Sequence, residues 1–83
     1  MKASYFAWVR ERIGKAGEEI APPDSVRTCA ELIAWMAGRG EEYAYAFENP
    51  QIIRVALDRA HARPDAPIAG AREVAFFPPM TGG

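Results

Sequence analysis

Glu73-Val74-Ala75-Phe76-Phe77-Pro78-Pro79-Met80-Thr81-Gly82-Gly83 is the stretch on which the fold turns. Residues 73–77 are β-branched and aromatic, which predicts a last strand. Strand alternation sends Phe76 and Phe77 to opposite faces, one to the core and one outward. Pro78-Pro79 then leads the chain out of the sheet, because proline has no N–H to give to a ladder. The two prolines also stiffen the exit into an extended form. Residues 78–83 reach roughly 18–20 Å when extended. Gly82 and Gly83 have no Cβ, so they fit a narrow tunnel.

Upstream, residues 52–57 (Ile-Ile-Arg-Val-Ala-Leu) read as a third strand. Residues 58–70 hold Arg63-Pro64-Asp65 and Ala66-Pro67, so they read as turns with a small strand at 59–63. Residues 41–50 read as a short helix or a loop, pinned by Tyr43, Phe47 and Ala46 or Ala44. The main helix is predicted from a cap at Asp24 or Ser25, with Val26, Cys29, Ala30, Ile33, Met36 and Ala37 at helical spacing. Gly38-Arg39-Gly40 ends it, with a glycine for a left-handed cap. Residues 17–21 form a weak second strand, stopped by Pro22-Pro23. Residues 2–9 read as a first strand, followed by a helical turn closed at Gly14. The predicted order is β, β, α, β, β: an α+β layout with a mixed sheet on one main helix. Residues 1–77 form the domain and 78–83 a flexible tail.

The 83 residues make one domain. A net charge of -1, with scattered basic residues, argues against a nucleic-acid binder. Arginine dominates the cations, eight against two lysines. Cys29 is the one cysteine, so neither an internal disulfide nor a cysteine zinc site is available. No apolar run approaches the ~18 residues of a membrane span, and the start lacks a signal-peptide core. The chain is expected to be cytoplasmic, with no membrane and no nucleic-acid partner.

A terminal carboxylate at Gly83 is a poor electrophile until activated. Adenylation by ATP makes a mixed anhydride that a sulfur nucleophile attacks, leaving a thiocarboxylate. No phosphate-binding glycine loop with Lys and Ser/Thr is present in the sequence, so the ATP chemistry is assigned to a separate enzyme and no cofactor to this chain.

Tyr5-Phe6-Ala7-Trp8-Val9-Arg10-Glu11-Arg12-Ile13-Gly14 and the closing stretch 73–83 together resemble the MoaD/ThiS sulfur carriers, on the branch of the small subunits of molybdopterin synthase. The resemblance implies a ubiquitin-like β-grasp fold. It implies that Gly83 is adenylated by an E1-like adenylyltransferase and converted to a thiocarboxylate with sulfur from a donor protein. It further implies that Thr81 and Gly82 enter the large synthase subunit with it, in a heterotetramer, to deliver sulfur to precursor Z (cyclic pyranopterin monophosphate). The thiamin-type carriers and the ubiquitin-like protein modifiers share a terminal Gly-Gly and stand as alternatives. The sequence departs from the family before the last strand, where Asp-Gly-Asp-Glu-Val appears as Gly70-Ala71-Arg72-Glu73-Val74.

By the same resemblance Phe6, Arg10, Phe77, Pro78, Pro79 and Met80 are candidates for partner docking. Phe77 reads equally as a partly buried core aromatic, and Arg10 as a solvated arginine. Phe6 and Trp8 are expected on one face of the first strand, with Tyr5 and Ala7 on the other. A sheet covered on one side does not need large apolar groups on both, so some of them suit a partner surface. Cys29 reads as a buried structural thiol rather than a persulfide carrier. His61 reads as a surface histidine, and Glu41-Glu42 as a solvated pair at a helix start.

Overall fold

A computed structural model describes residues 1–79. Strand β1 (Lys2–Tyr5) leads to helix α1 (Ala7–Ile13) and strand β2 (Gly17–Glu19). Helices α2 (Cys29–Ala37) and α3 (Glu41–Ala46) follow, then a 3-10 turn (Pro50–Ile52). Strands β3 (Arg54–Leu57), β4 (Ala60–Ala62) and β5 (Glu73–Phe77) complete the order. The five strands form one sheet in the order β2-β1-β5-β3-β4. Only β1 and β5 pair in parallel. This is the α+β layout expected, with three helices among the described residues in place of one main helix.

β5 lies in the middle of the sheet. Its alternation is clean: Val74 and Phe76 are buried, while Glu73, Ala75 and Phe77 are half-buried on the other face. Phe76 stacks on Tyr5 at 6.0 Å between ring centroids and meets Phe47 edge-on at 5.1 Å. Phe47 follows α3, so this aromatic cluster ties the helical layer to the central strand. From α2 the buried residues are Cys29, Leu32, Ile33 and Met36. Leu32 belongs to that face and Ala30 does not, a shift from the face expected.

The largest correction is at the start. The first strand stops at Tyr5, and the aromatic run continues as α1. Ala7 turns the chain at a left-handed φ of 53°. Val9 and Ile13, four apart, then point into the core. Phe6 and Trp8 therefore do not share a strand face: Phe6 caps the helix and is 49% exposed, and Trp8 lies on α1. Arg10 sits inside α1 rather than just past a strand. Gly14 closes the helix at φ 89°, as expected.

Helix α2 begins five residues after Asp24. Thr28 is its cap, in a capping box with Glu31: Glu31 N–H donates to Thr28 Oγ1 at 3.2 Å, and Glu31 Oε1 accepts from Thr28 N–H at 3.1 Å. Thr28-Cys29-Ala30-Glu31 carries that signature openly. Gly38 ends α2 at φ -86°, so no left-handed cap forms there. β3 starts at Arg54, and Ile52 falls in the 3-10 turn. Asp58 and Arg59, both at positive φ, make the two-residue turn from β3 to β4. The Asp58 carboxylate also accepts from Arg72 N–H at 2.9 Å and Glu73 N–H at 3.0 Å. It thus caps the turn before β5, where the sequence departs from the family pattern.

Glu18 on β2 anchors the other edge. Its carboxylate accepts from Tyr5 OH at 2.7 Å, from Tyr43 OH, from Arg39 at 3.1 Å and from Lys15 at 3.3 Å. One side chain so joins β1, β2, α3, the end of α2 and the loop after α1. Partial burial alone would raise the Glu18 carboxyl pKa. The hydrogen bonds from Tyr43, Tyr5 and Arg39 outweigh it and hold the value down to about 2.

Two outcomes are expected from this packing. The folded Glu18 binds a proton less tightly than the unfolded chain does. Its ionised form therefore stabilises the fold above the ordinary carboxylate range near ~4.3. That contribution is lost as pH falls from there toward about 2. Glu18→Gln is expected to cost about 1–3 kcal/mol at neutral pH and to flatten the acid limb, measured by urea unfolding across pH. Phe76→Ala is expected to cost about 3–5 kcal/mol in the same assay, and Phe77→Ala about 1 kcal/mol, since only Phe76 leaves a core cavity.

Candidate functional site

The sheet has one face under the helices and one open face. Cross-strand register places Ser4, Ala75, Ala56 and His61 side by side on the open face. Three of these are small, and the result is a shallow groove of about 150 Å³. Phe6 lines it, with Arg59 and Glu73 toward the other end.

The candidate site lies where β5 leaves the sheet. Tyr5 pairs with Phe76, and Phe6 N–H donates to the Phe76 carbonyl at 3.1 Å. The ends of β1 and β5 therefore emerge together. Phe77 is half-buried on the open face, its ring edge-to-face with His61 at 5.3 Å. Its cross-strand partner is Arg54, whose Nη1 donates to the Gln51 carbonyl at 3.0 Å. Pro78 and Pro79 continue from Phe77 and are half-buried. Arg10 is exposed one turn into α1, its N–H on the Phe6 carbonyl at 3.4 Å. Phe6, Phe77, Pro78 and Pro79 thus belong to one end of the sheet, with Arg10 on the helix that starts there. Met80, Thr81, Gly82 and Gly83 lie outside the described residues.

Sequence reading missed the His61–Phe77 contact. The two are 16 positions apart in the chain (77 − 61) and meet only because β3 spaces β4 from β5. His61 is exposed, as expected. No short-range signal could have shown the pair.

Elsewhere the chain offers little chemistry. An apolar groove of about 510 Å³ runs between α2 and the β3–β4 hairpin, with Cys29, Ile33, Phe47 and Ala62 in its lining. Burial pushes the Cys29 thiol pKa up, and Asp65 adds to it, so the group stays a thiol. It is fully buried. Among the described residues no three His, Cys, Asp or Glu side chains gather as a metal site. No helix among them is long and apolar enough to cross a membrane.

Comparison with known proteins gives a consistent answer. A model of the ThiS family matches residues 3–83. The molybdopterin synthase sulfur carrier subunit of Escherichia coli is 35% identical over 83 residues, covering 100% of this chain and 99% of that protein. Its counterpart in Haemophilus influenzae is 32% identical over 79 residues, covering 95% and 94%. Two solved structures share the fold at 23% identity: SAMP1 from Haloferax volcanii and a putative molybdopterin converting factor subunit 1 from Pyrococcus furiosus. SAMP1 has a TM-score of 0.72 and covers 100% of this chain and 98% of its own. The second has a TM-score of 0.65 and covers 95% of each. The fold is the ubiquitin-like β-grasp, and with the family match running from the first strand to Gly83 the chain belongs to the ThiS family.

Proposed function

We propose that this chain is the sulfur carrier of molybdopterin synthase, acting in molybdenum cofactor biosynthesis through Gly83. The observation that carries the reading is the full-length likeness to sulfur carrier subunits of that synthase at 35% and 32% identity. The family match reaches Gly83 itself.

In this reading residues 1–77 are a rigid handle and 78–83 the working tail. An E1-like adenylyltransferase binds ATP and joins the Gly83 carboxylate to AMP, releasing pyrophosphate. Hydrosulfide released from a donor protein attacks the carbonyl carbon, a C–S bond forms, AMP leaves with the C–O electron pair, and the sulfur's proton passes to solvent. The resulting thiocarboxylate enters the large synthase subunit, and Thr81 and Gly82 enter with it. There it gives its sulfur to precursor Z. The assembly is a heterotetramer in the cytoplasm. Phe6, Phe77, Pro78, Pro79, Met80 and Arg10 form the docking surface around the exit. The carrier itself needs no cofactor, because activation and transfer belong to its partners.

Incubation with ATP, an E1-like enzyme and a sulfur donor is expected to exchange one oxygen for sulfur at Gly83, seen by intact mass. Deleting Gly83 is expected to abolish the exchange and molybdopterin formation. Covalent adducts on lysines of other proteins would instead make the chain a modifier, and molybdopterin formation that survives the deletion would rule the carrier reading out.

A further inference from the structure

Helix α1 lacks several of the features that hold a helix in place. It has seven residues, and a helix this short is marginal in water. Its first turn carries no acidic side chain, and Phe6 gives it no side-chain cap. Ala7 enters it at a φ of 53°, a conformation unfavourable for a residue with a Cβ. Val9 and Ile13 are buried, which fixes only the inner side of the helix.

Arg12 holds the outer side. Its guanidinium lies over two rings at once, 4.6 Å from the centroid of Trp8 and 4.2 Å from that of Tyr45. Trp8 is four residues earlier on the same face of α1, and Tyr45 belongs to the last turn of α3. Arg12 Nη1 donates to the Tyr45 carbonyl at 3.1 Å and pairs with Glu48 at 3.3 Å. The carbonyl end of a helix favours a cation there. A planar guanidinium can stack on rings and still donate in its own plane, which an ammonium cannot do. The Arg12 side chain is 27% exposed, so water screens these contacts only in part. Arg12 so ties the outer face of α1 to the end of α3.

This helix carries one edge of the exit. Phe6 begins it, with its N–H on the Phe76 carbonyl at 3.1 Å, and Arg10 stands one turn on. Both move with α1. A docking edge that is already ordered binds more tightly than one that must be ordered on contact.

We propose that Arg12 is a positioning residue for docking: it clamps α1 on α3 and so holds Phe6 and Arg10 in place at the exit before a partner arrives, a role that rests on the reading of those two as docking residues. Arg12→Met keeps the aliphatic stem and removes the guanidinium. In the free chain of this variant, amide hydrogen exchange across α1 is expected to speed up about tenfold or more, with β3 and β5 less affected. The chain loaded as a thiocarboxylate is then titrated against the molybdopterin synthase large subunit. The KM for the carrier is expected to rise about three- to tenfold at unchanged kcat, since the Gly83 chemistry is untouched. Thr28→Ala removes the cap of α2, away from α1, and is expected to leave α1 exchange and KM at wild-type values. Wild-type exchange across α1 in Arg12→Met overturns the proposal, as does a looser α1 with an unchanged KM, or a KM that rises as much in Thr28→Ala. A wild-type chain that takes no sulfur or yields no molybdopterin overturns the carrier reading instead, and exchange across α1 still decides whether Arg12 holds the helix.

Discussion

Strand β5 is bonded on both sides, to β1 in parallel and to β3 antiparallel, and the rest of the structure depends on that position. A central strand has no free edge, so its residues are fixed by two ladders and by the core beneath Phe76. Proline ends the ladder at position 78 because it has no N–H to donate. Phe77 is therefore among the best-held of the described residues. The parallel pairing also requires a crossover, and the helices supply it on one face only. The opposite face stays open, with Phe77 and His61 on it and Phe6 at its end.

Glu18 does for the edge what Phe76 does for the centre. A carboxylate that accepts from two tyrosine hydroxyls and two cations satisfies all of them at once. Arg39 also lies over the Tyr43 ring at 4.6 Å, so the end of α2 is held by charge and by ring contact together. Apolar burial sets which face of each element points inward. The Glu18 cluster then fixes how the loops between them close.

The parts of the fold legible in the sequence are those where one signal dominates. β5 alternates without exception, α2 has a sustained apolar stripe, and Gly14 marks a helix end. The misreadings fall where two signals compete. Phe6-Ala7-Trp8-Val9 has the composition of a strand, yet Val9 and Ile13 at helical spacing bury more than an extended Val9 could. The decisive turn there rests on Ala7 at a positive φ, a conformation that alanine does not advertise. At α2 the expected cap is Asp24 or Ser25, and Thr28 takes the role because Glu31 three residues on reciprocates its hydrogen bond. Of the candidate site, Phe77 and the prolines were legible from local pattern. His61 was not, because its contact with Phe77 exists only through the strand order.

A carrier of this design divides its entropy unevenly, and for a reason. Ordering one residue of backbone costs about 1–2 kcal/mol, and under the proposed insertion the tail meets that cost at every position it commits. Phe77 is already fixed by the sheet, and Pro78 and Pro79 have φ fixed by their rings. The cost on insertion falls on the residues after Pro79. Under the proposed insertion the Pro-Pro lead-in gives reach without freedom, because each ring already fixes its own φ.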